Sequence, residues 1–97
     1  MLEIKHTNNE KKGEFYIEKN SHYLAEMTYT WADENLLVID HTTVNDSLRG
    51  QGVANQLLDQ MVSFAREKKV KVIPLCSFAK SAFEKNPAIQ DVLKSSS

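Results

Sequence analysis

The chain has 97 residues, 41% hydrophobic and 26% charged, a balance that excludes disordered and fibrous classes and fits one globular domain over residues 1–97. Twelve basic against thirteen acidic residues give a net charge of -1, which excludes the broad basic footprint of a nucleic-acid binder. No apolar segment approaches the roughly 20 residues that cross a bilayer, and residues 1–5 open no signal-peptide core, so a cytoplasmic location without a membrane partner is expected. The single cysteine, Cys76, cannot form an internal disulfide, in keeping with a reducing compartment.

Residues 2–7 predict a short first strand and residues 8–13 a polar turn. Residues 14–19 read as the next strand, Asn20-Ser21 as a tight turn, and residues 22–31 as a longer strand rich in aromatic and β-branched side chains. After a turn at residues 32–35 comes Leu36-Leu37-Val38-Ile39, a continuous apolar run expected of a strand covered on both faces. The run continues through Asp40-His41-Thr42-Thr43 to Val44, which completes an antiparallel meander with no helix between its first strands.

Residues 44–54 form a polar turn that holds two of the three glycines. Such a turn, ending a strand and opening a helix, presents several backbone N–H groups at the positive end of the helix dipole. We read it as an anion cradle. From Gly52 the period changes to that of a helix: Val53, Ala54, Leu57, Leu58, Met61, Val62 and Ala65 share a stripe, while Asn55, Asp59, Ser63 and Glu67 face away. Residues 70–76 start another strand, so strand, helix and strand make a right-handed parallel crossover. Pro74 cannot donate to a ladder, which puts this strand at an edge or splays it from its neighbour. Ser77 is expected to cap a helix over residues 78–84, ended by Asn86-Pro87, with a last short helix over residues 89–93 before a frayed Ser95-Ser96-Ser97.

This order of elements resembles the Gcn5-related N-acetyltransferase (GNAT) family. The residues that carry the likeness are Arg49-Gly50-Gln51-Gly52-Val53-Ala54. The family's acetyl-CoA motif is Arg or Gln, two residues, Gly, any residue, then Gly or Ala, and it is met at Arg49, Gly52 and Ala54. Pro74-Leu75-Cys76-Ser77-Phe78, with His41-Thr42 upstream, is similar to a compact, YjdJ-like subfamily of short acetyltransferase-like proteins. The likeness covers most of the chain.

It implies an α/β (α+β) class: a minimal GNAT-like fold, its sheet mixed but mostly antiparallel, with a βαβ unit that binds acetyl-CoA. By the same resemblance, the backbone of Arg49, Gly50, Gln51, Gly52, Val53 and Ala54 holds the CoA pyrophosphate. Thr42, Thr43 and Val44 pair with the pantetheine arm as though it were another strand. The implied activity is transfer of the acetyl group to an amine, either a small molecule or a protein lysine, by a monomer. Two departures bear on catalysis. No tyrosine follows Tyr29, although many members use one after the splayed strand to protonate the leaving thiolate, and the family's last hairpin is missing or reduced to helix. A non-catalytic module that binds or senses acyl-CoA is the alternative, and a purely protein-binding domain a third reading.

Two residues are candidates for chemistry. Cys76 ends the strand beside the slot and precedes a helix whose N-terminal field favours a thiolate, so it would attack the thioester or protonate CoA; otherwise it is an inert, buried thiol. His41 is a candidate general base, or a strand residue bonded to its neighbours. In a regular strand Asp40 and His41 point to opposite faces, and a bulge would change that parity. His6 and His22 read as ordinary surface histidines without ligand spacing, and no metal is expected. Trp31, Tyr16, Tyr23 and Tyr29 read as core and cross-strand pairs, Lys11-Lys12 and Lys68-Lys69 as solvated charges. Lys80 reads as a solvated lysine, or as one brought near the adenosine phosphates.

Overall fold

A computed structural model describes residues 3–94 and arranges them as a five-stranded sheet in the order β1-β2-β3-β4-β5. The first four strands, β1 (Lys5–Asn8), β2 (Lys12–Lys19), β3 (His22–Asp33) and β4 (Leu36–Val44), form the antiparallel meander. Of the strand predicted over residues 2–7, Leu2 lies outside the described residues, as does the fraying of Ser95–Ser97. The hairpin at Asn20-Ser21 is tight because both residues take positive φ, 53° and 66°, as the mirror-image hairpin turn demands.

One face of the sheet carries the core. Phe15 and Ile17 of β2, Ala25, Met27 and Tyr29 of β3, and Leu37 and Ile39 of β4 are buried, at the period of two that strands impose. Onto this face packs α1 (Val53–Lys68), through Val53, Leu57, Leu58, Met61, Val62 and Ala65. This is the stripe read from sequence, except that Ala54 stays half-buried. Lys69 closes the helix in a left-handed conformation, φ 60°, and its N–H reaches Ala65 O and Arg66 O.

The chain then enters β5 (Lys71–Pro74), which pairs parallel with β4 from Leu36↔Lys71 to Ile39↔Pro74. A second helix, α2 (Ser77–Lys85), buries Ala79 and Phe83 in the same cluster as α1. Asn86-Pro87 ends it, and a 3-10 turn over Pro87–Val92 brings Leu93 alongside Val72 as a single parallel bridge on the outer edge of β5. Arg66 of α1 grips this turn through Asp91 at 2.7 Å and the Ala88 carbonyl at 2.8 Å.

Two expectations are corrected. Leu36-Leu37-Val38-Ile39 is not covered on both faces: Leu37 and Ile39 are buried, but Leu36 and Val38 are only half-buried. Among the described residues both helices lie on the other side, so the apolar run owes half of its character to an uncovered face. The cap of α2 is Cys76 rather than Ser77. Cys76 has extended backbone angles, φ -75° and ψ 146°, and its Sγ accepts the Ala79 N–H, while Ser77 is already the first helical residue.

Candidate functional site

At the C-terminal end of β4 the chain passes through a 3-10 turn, Asp46–Leu48, before α1. Asn45 caps this turn by accepting Ser47 N–H at 2.9 Å, and buried Leu48 anchors it to the core. The next residues are exposed and need glycine. Gly50 and Gly52 have φ of 79° and 70°, in the left-handed region that a side chain occupies at a cost. A Cβ added to either would meet no protein atom within 4 Å, so the space above both backbones is open.

Gly52 sits at the N-cap of α1 and has no side chain to accept from the first N–H groups, and the first turn holds no acidic residue. The first bond of the helix is Gln56 N–H to Gly52 O at 3.1 Å, which leaves the N–H groups of Val53, Ala54 and Asn55 ahead of it with no helical acceptor. Val44, Leu48, Arg49, Gly50, Gly52, Val53, Ala54 and Asn55 thus enclose a shallow cavity of about 200 Å³ at the positive end of a 16-residue helix. Arg49 is paired with Asp46 at 2.9 Å, both side chains largely in solvent, and Gln51 Nε2 bonds back to Ser47 O. Of the residues singled out in the sequence, this turn unites Val44, Arg49, Gly50, Val53 and Ala54 with Gly52.

Beside the cradle β4 and β5 part. The ladder between them ends with Ile39↔Pro74 and the Leu75 N–H on Ile39 O at 3.0 Å, because Pro74 has no N–H and the chain turns into α2. Residues 41–44 of β4 keep β3 as their partner on one side, and among the described residues no strand pairs with them on the other. Thr42, Thr43 and Val44 therefore line a free strand edge that leads into the cradle. Across the opening, Thr42 Oγ1 lies 3.3 Å from Cys76 Sγ, which also takes the Ala79 N–H at 3.4 Å. Cys76 is half-buried rather than sealed in the core.

The register of β3 against β4 shifts between Thr28 and Tyr29: Thr28 faces His41, and Tyr29 faces Ile39. Asp40 is the extra residue of a bulge. It restores Thr42 and Val44 to the buried side, opposite Met27 and Ala25, and puts Asp40 and His41 together on the uncovered side. There the two share a cavity of about 470 Å³ with Thr7, Asn8, Asn9, Lys12, Gly13, Glu14, Thr28, Tyr29 and Thr30. Thr30 donates to Asp40 Oδ2 at 2.6 Å, and Tyr23 donates to Glu14 Oε1 at 2.7 Å. The bond to Glu14 is the main reason that the Tyr23 hydroxyl is pushed up to about 12. Burial, followed by hydrogen bonding to Glu14, raises the Glu26 carboxyl above the usual range, and the charge of His41 works weakly against this.

Sequence reasoning missed Glu14 and Glu26. Their signal was the alternation Glu14, Tyr16 on β2 and Glu26, Thr28, Thr30 on β3, which sets a polar row opposite the core. His6, read as a surface histidine, is exposed, and its ring also stacks on Phe15 at 4.0 Å with Nε2 2.6 Å from the Tyr29 hydroxyl. Lys80 lines a separate cavity with Pro74, Phe83 and Leu93 rather than the cradle. Among the described residues no group of three or more His, Cys, Asp or Glu could hold a metal ion, and no helix is long and apolar enough to cross a membrane.

A bulged antiparallel sheet whose fourth strand parts from a parallel fifth, with a glycine turn and a helix N-terminus at the fork, defines an acetyltransferase-type α+β fold. The sequence profile of the GCN5-related N-acetyl-transferase family matches residues 14–92, and the chain belongs to that family. It is 44% identical to a GCN5-like N-acetyltransferase candidate of Staphylococcus aureus solved by NMR. The two superpose with a TM-score of 0.78 over 99% of this chain and 91% of the other. A GNAT family acetyltransferase of Elizabethkingia anophelis with acetyl-CoA bound shares the fold at a TM-score of 0.60 and 16% identity, over 77% of this chain and 52% of that one. Protein NATD1 of Gallus gallus is 26% identical over 90 residues, 92% of this chain and 80% of the relative.

Proposed function

We propose that this protein binds acetyl-CoA in the fork between β4 and β5 and transfers the acetyl group to an amine, with Cys76 and His41 taking part. The observation that carries the reading is the free edge of residues 41–44 running straight into an uncapped helix N-terminus. A pantetheine arm carries amide groups that can complete a strand edge, and a pyrophosphate suits the exposed N–H groups of residues 49–54. The left-handed glycines and the open space above them fit a ligand that lies directly against the backbone.

In this reading Arg49, Gly50, Gln51, Gly52, Val53 and Ala54 hold the pyrophosphate, and Thr42, Thr43 and Val44 bind the pantetheine. Acetyl-CoA supplies an activated thioester, and the rest of the chemistry falls to the chain. The Ala79 N–H at the start of α2 points at Cys76 Sγ, and the Thr42 hydroxyl lies 3.3 Å from the same sulfur, so Cys76 is held at the opening between β4 and β5. This supports Cys76 as the nucleophile: its sulfur forms a bond to the acetyl carbon as the bond to the CoA sulfur breaks, and an amine later takes the acetyl group. His41, on the uncovered side of the bulge, takes the proton that the amine gives up.

The second reading, a module that binds acyl-CoA without turnover, draws on the absence of any tyrosine among residues 30–97 and on the 3-10 turn over Pro87–Val92 that follows α2. Incubation with acetyl-CoA and a panel of amines separates the two. Release of free CoA, with acetyl found on Cys76 and then on the amine, is expected for the enzyme. Binding without thiol release from any amine leaves the sensing module, and the absence of NMR shifts at Gly50 and Gly52 under millimolar CoA removes both.

A further inference from the structure

The turn that opens the cradle carries an ion pair of its own. Asp46 starts the 3-10 segment and Arg49 caps it, with the Arg49 N–H donating to the Asp46 carbonyl at 3.2 Å. Their side chains therefore leave the same turn and meet, Arg49 Nε lying 2.9 Å from Asp46 Oδ1. Between Thr42 and Leu58 these are the only charged side chains in the sequence. Paired, they give the cradle no net side-chain charge. Apart, Arg49 adds a full positive charge to a cavity that it lines and Asp46 does not.

The pair is easily exchanged. The side chains of Arg49 and Asp46 are 76% and 86% exposed, so a released carboxylate regains its water and neither charge is stranded. The pair between Arg66 and Asp91 shows the alternative. There Nε and Nη2 meet both carboxylate oxygens, at 3.0 and 2.7 Å, and Nη2 also donates to the Ala88 carbonyl. Arg66 is fixed by three bonds, whereas Arg49 is tethered through Nε, which leaves the N–H donors of both Nη atoms for another anion.

We propose that Arg49 changes partner when CoA binds: its guanidinium leaves the Asp46 carboxylate for a CoA phosphate, and Asp46 recaptures it as CoA departs. Asp46 is then a positioning residue that weakens the hold on CoA and so favours release of the spent carrier. A pyrophosphate, with its higher charge and fork-matching oxygens, attracts the guanidinium more strongly than a single solvated carboxylate does. The exchange rests on the reading of the cradle as the pyrophosphate site.

The test is a double-mutant cycle. CoA is titrated by NMR, followed at Gly50 and Gly52, into the wild-type protein, Asp46→Asn, Arg49→Gln and the double variant. Both substitutions lie in solvent and keep the backbone bond of the turn, so the fold is retained. At low salt Asp46→Asn should bind CoA about threefold tighter than wild type, the scale of one screened surface ion pair, and the gain should shrink as salt is raised. In the Arg49→Gln background the same change should alter affinity by less than about 1.5-fold, because no cation is left to release. Unchanged or weaker binding by Asp46→Asn overturns the exchange while the cradle reading stands. An equal gain in both backgrounds also overturns it, since Asp46 would then repel CoA without acting through Arg49. No shift at Gly50 and Gly52 in any of the four proteins removes the cradle reading and the exchange with it.

Discussion

The cradle at the start of α1 and the uncovered face at the β4 bulge meet at the same strand but are built from opposite materials. The cradle is made of backbone: left-handed glycines, free N–H groups, no acidic side chain in the first turn and open space above. The face is made of side chains, namely carboxylates, hydroxyls and stacked tyrosines on a regular sheet. Backbone suits a ligand common to a whole family, since N–H groups persist through most substitutions. Side chains suit the partner that differs from one member to another. Cys76 lies against Thr42 on the covered side of β4, and His41, the residue before it, faces the uncovered side.

Removing the chemistry while keeping both regions should have the largest effect. Cys76→Ser retains a capping oxygen for α2 and loses the sulfur nucleophile, so we expect turnover to disappear with CoA affinity within about twofold of wild type and no loss of stability. Cys76→Ala should match it in activity but lose about 0.5–1 kcal/mol through the missing cap. Wild-type rates of CoA release in either variant would retire the nucleophile and leave His41 and direct transfer to the amine.

The glycines sharpen the same contrast. Gly13, at the edge of the cavity on the uncovered face, is packed: an added Cβ would overlap the Tyr29 hydroxyl and the Thr7 carbonyl, one of them backbone. Gly13→Ala should therefore cost about 2–3 kcal/mol and lower the melting temperature, because β1 or Tyr29 must move. A Cβ at Gly52 meets no atom within 4 Å, so the main stability cost of Gly52→Val is the left-handed conformation, about 1–2 kcal/mol. CoA affinity should fall at least tenfold in Gly52→Val, where the side chain takes the ligand's place, and stay near wild type in the folded fraction of Gly13→Ala. The reverse pattern would mean that the space above Gly52 is not where the pyrophosphate lies.

Much of the frame was legible because local pattern and tertiary context agree. The α1 stripe, the glycine turn and the break after Pro74 are all local signals, and each fell within a residue or two of its place. What was not legible depends on partners far away in sequence. The bulge at Asp40 exists only as a mismatch between β3 and β4, so no reading of residues 40–44 alone could decide which side His41 faces. Ser77 was the better cap by residue preference, but the chain leaves β5 one residue earlier, and the extended backbone angles fall on Cys76. The apolar run of β4 suggested two covered faces because half-buried Leu36 and Val38 look, in sequence, no different from buried Leu37 and Ile39.

His6 yields the smallest effect and tests the other end of the sheet. Its ring lies between Phe15 and Phe64, at 4.0 and 4.7 Å, with Nε2 on the Tyr29 hydroxyl, and burial lowers its pKa below the ordinary 6.5. Tyr29 in turn donates to Asn8 Oδ1 at 3.0 Å, as does Trp31 Nε1, so the ring belongs to the set of contacts that fixes β1. Because the folded pKa is the lower one, the unfolded chain binds a proton first as the pH falls through 6.5. Stability from this residue is thus complete above that pH, declines below it, and levels off once the folded protein is protonated too. Thermal melts from pH 7.5 to 5 should show a shallow acid limb that His6→Asn flattens, with loss of hydrogen-exchange protection in β1 preceding that in β3. The cradle should be indifferent over the same range: CoA-induced shifts at Gly50 and Gly52 that weaken in step with His6 protonation would show that the two ends of the sheet are coupled rather than independent.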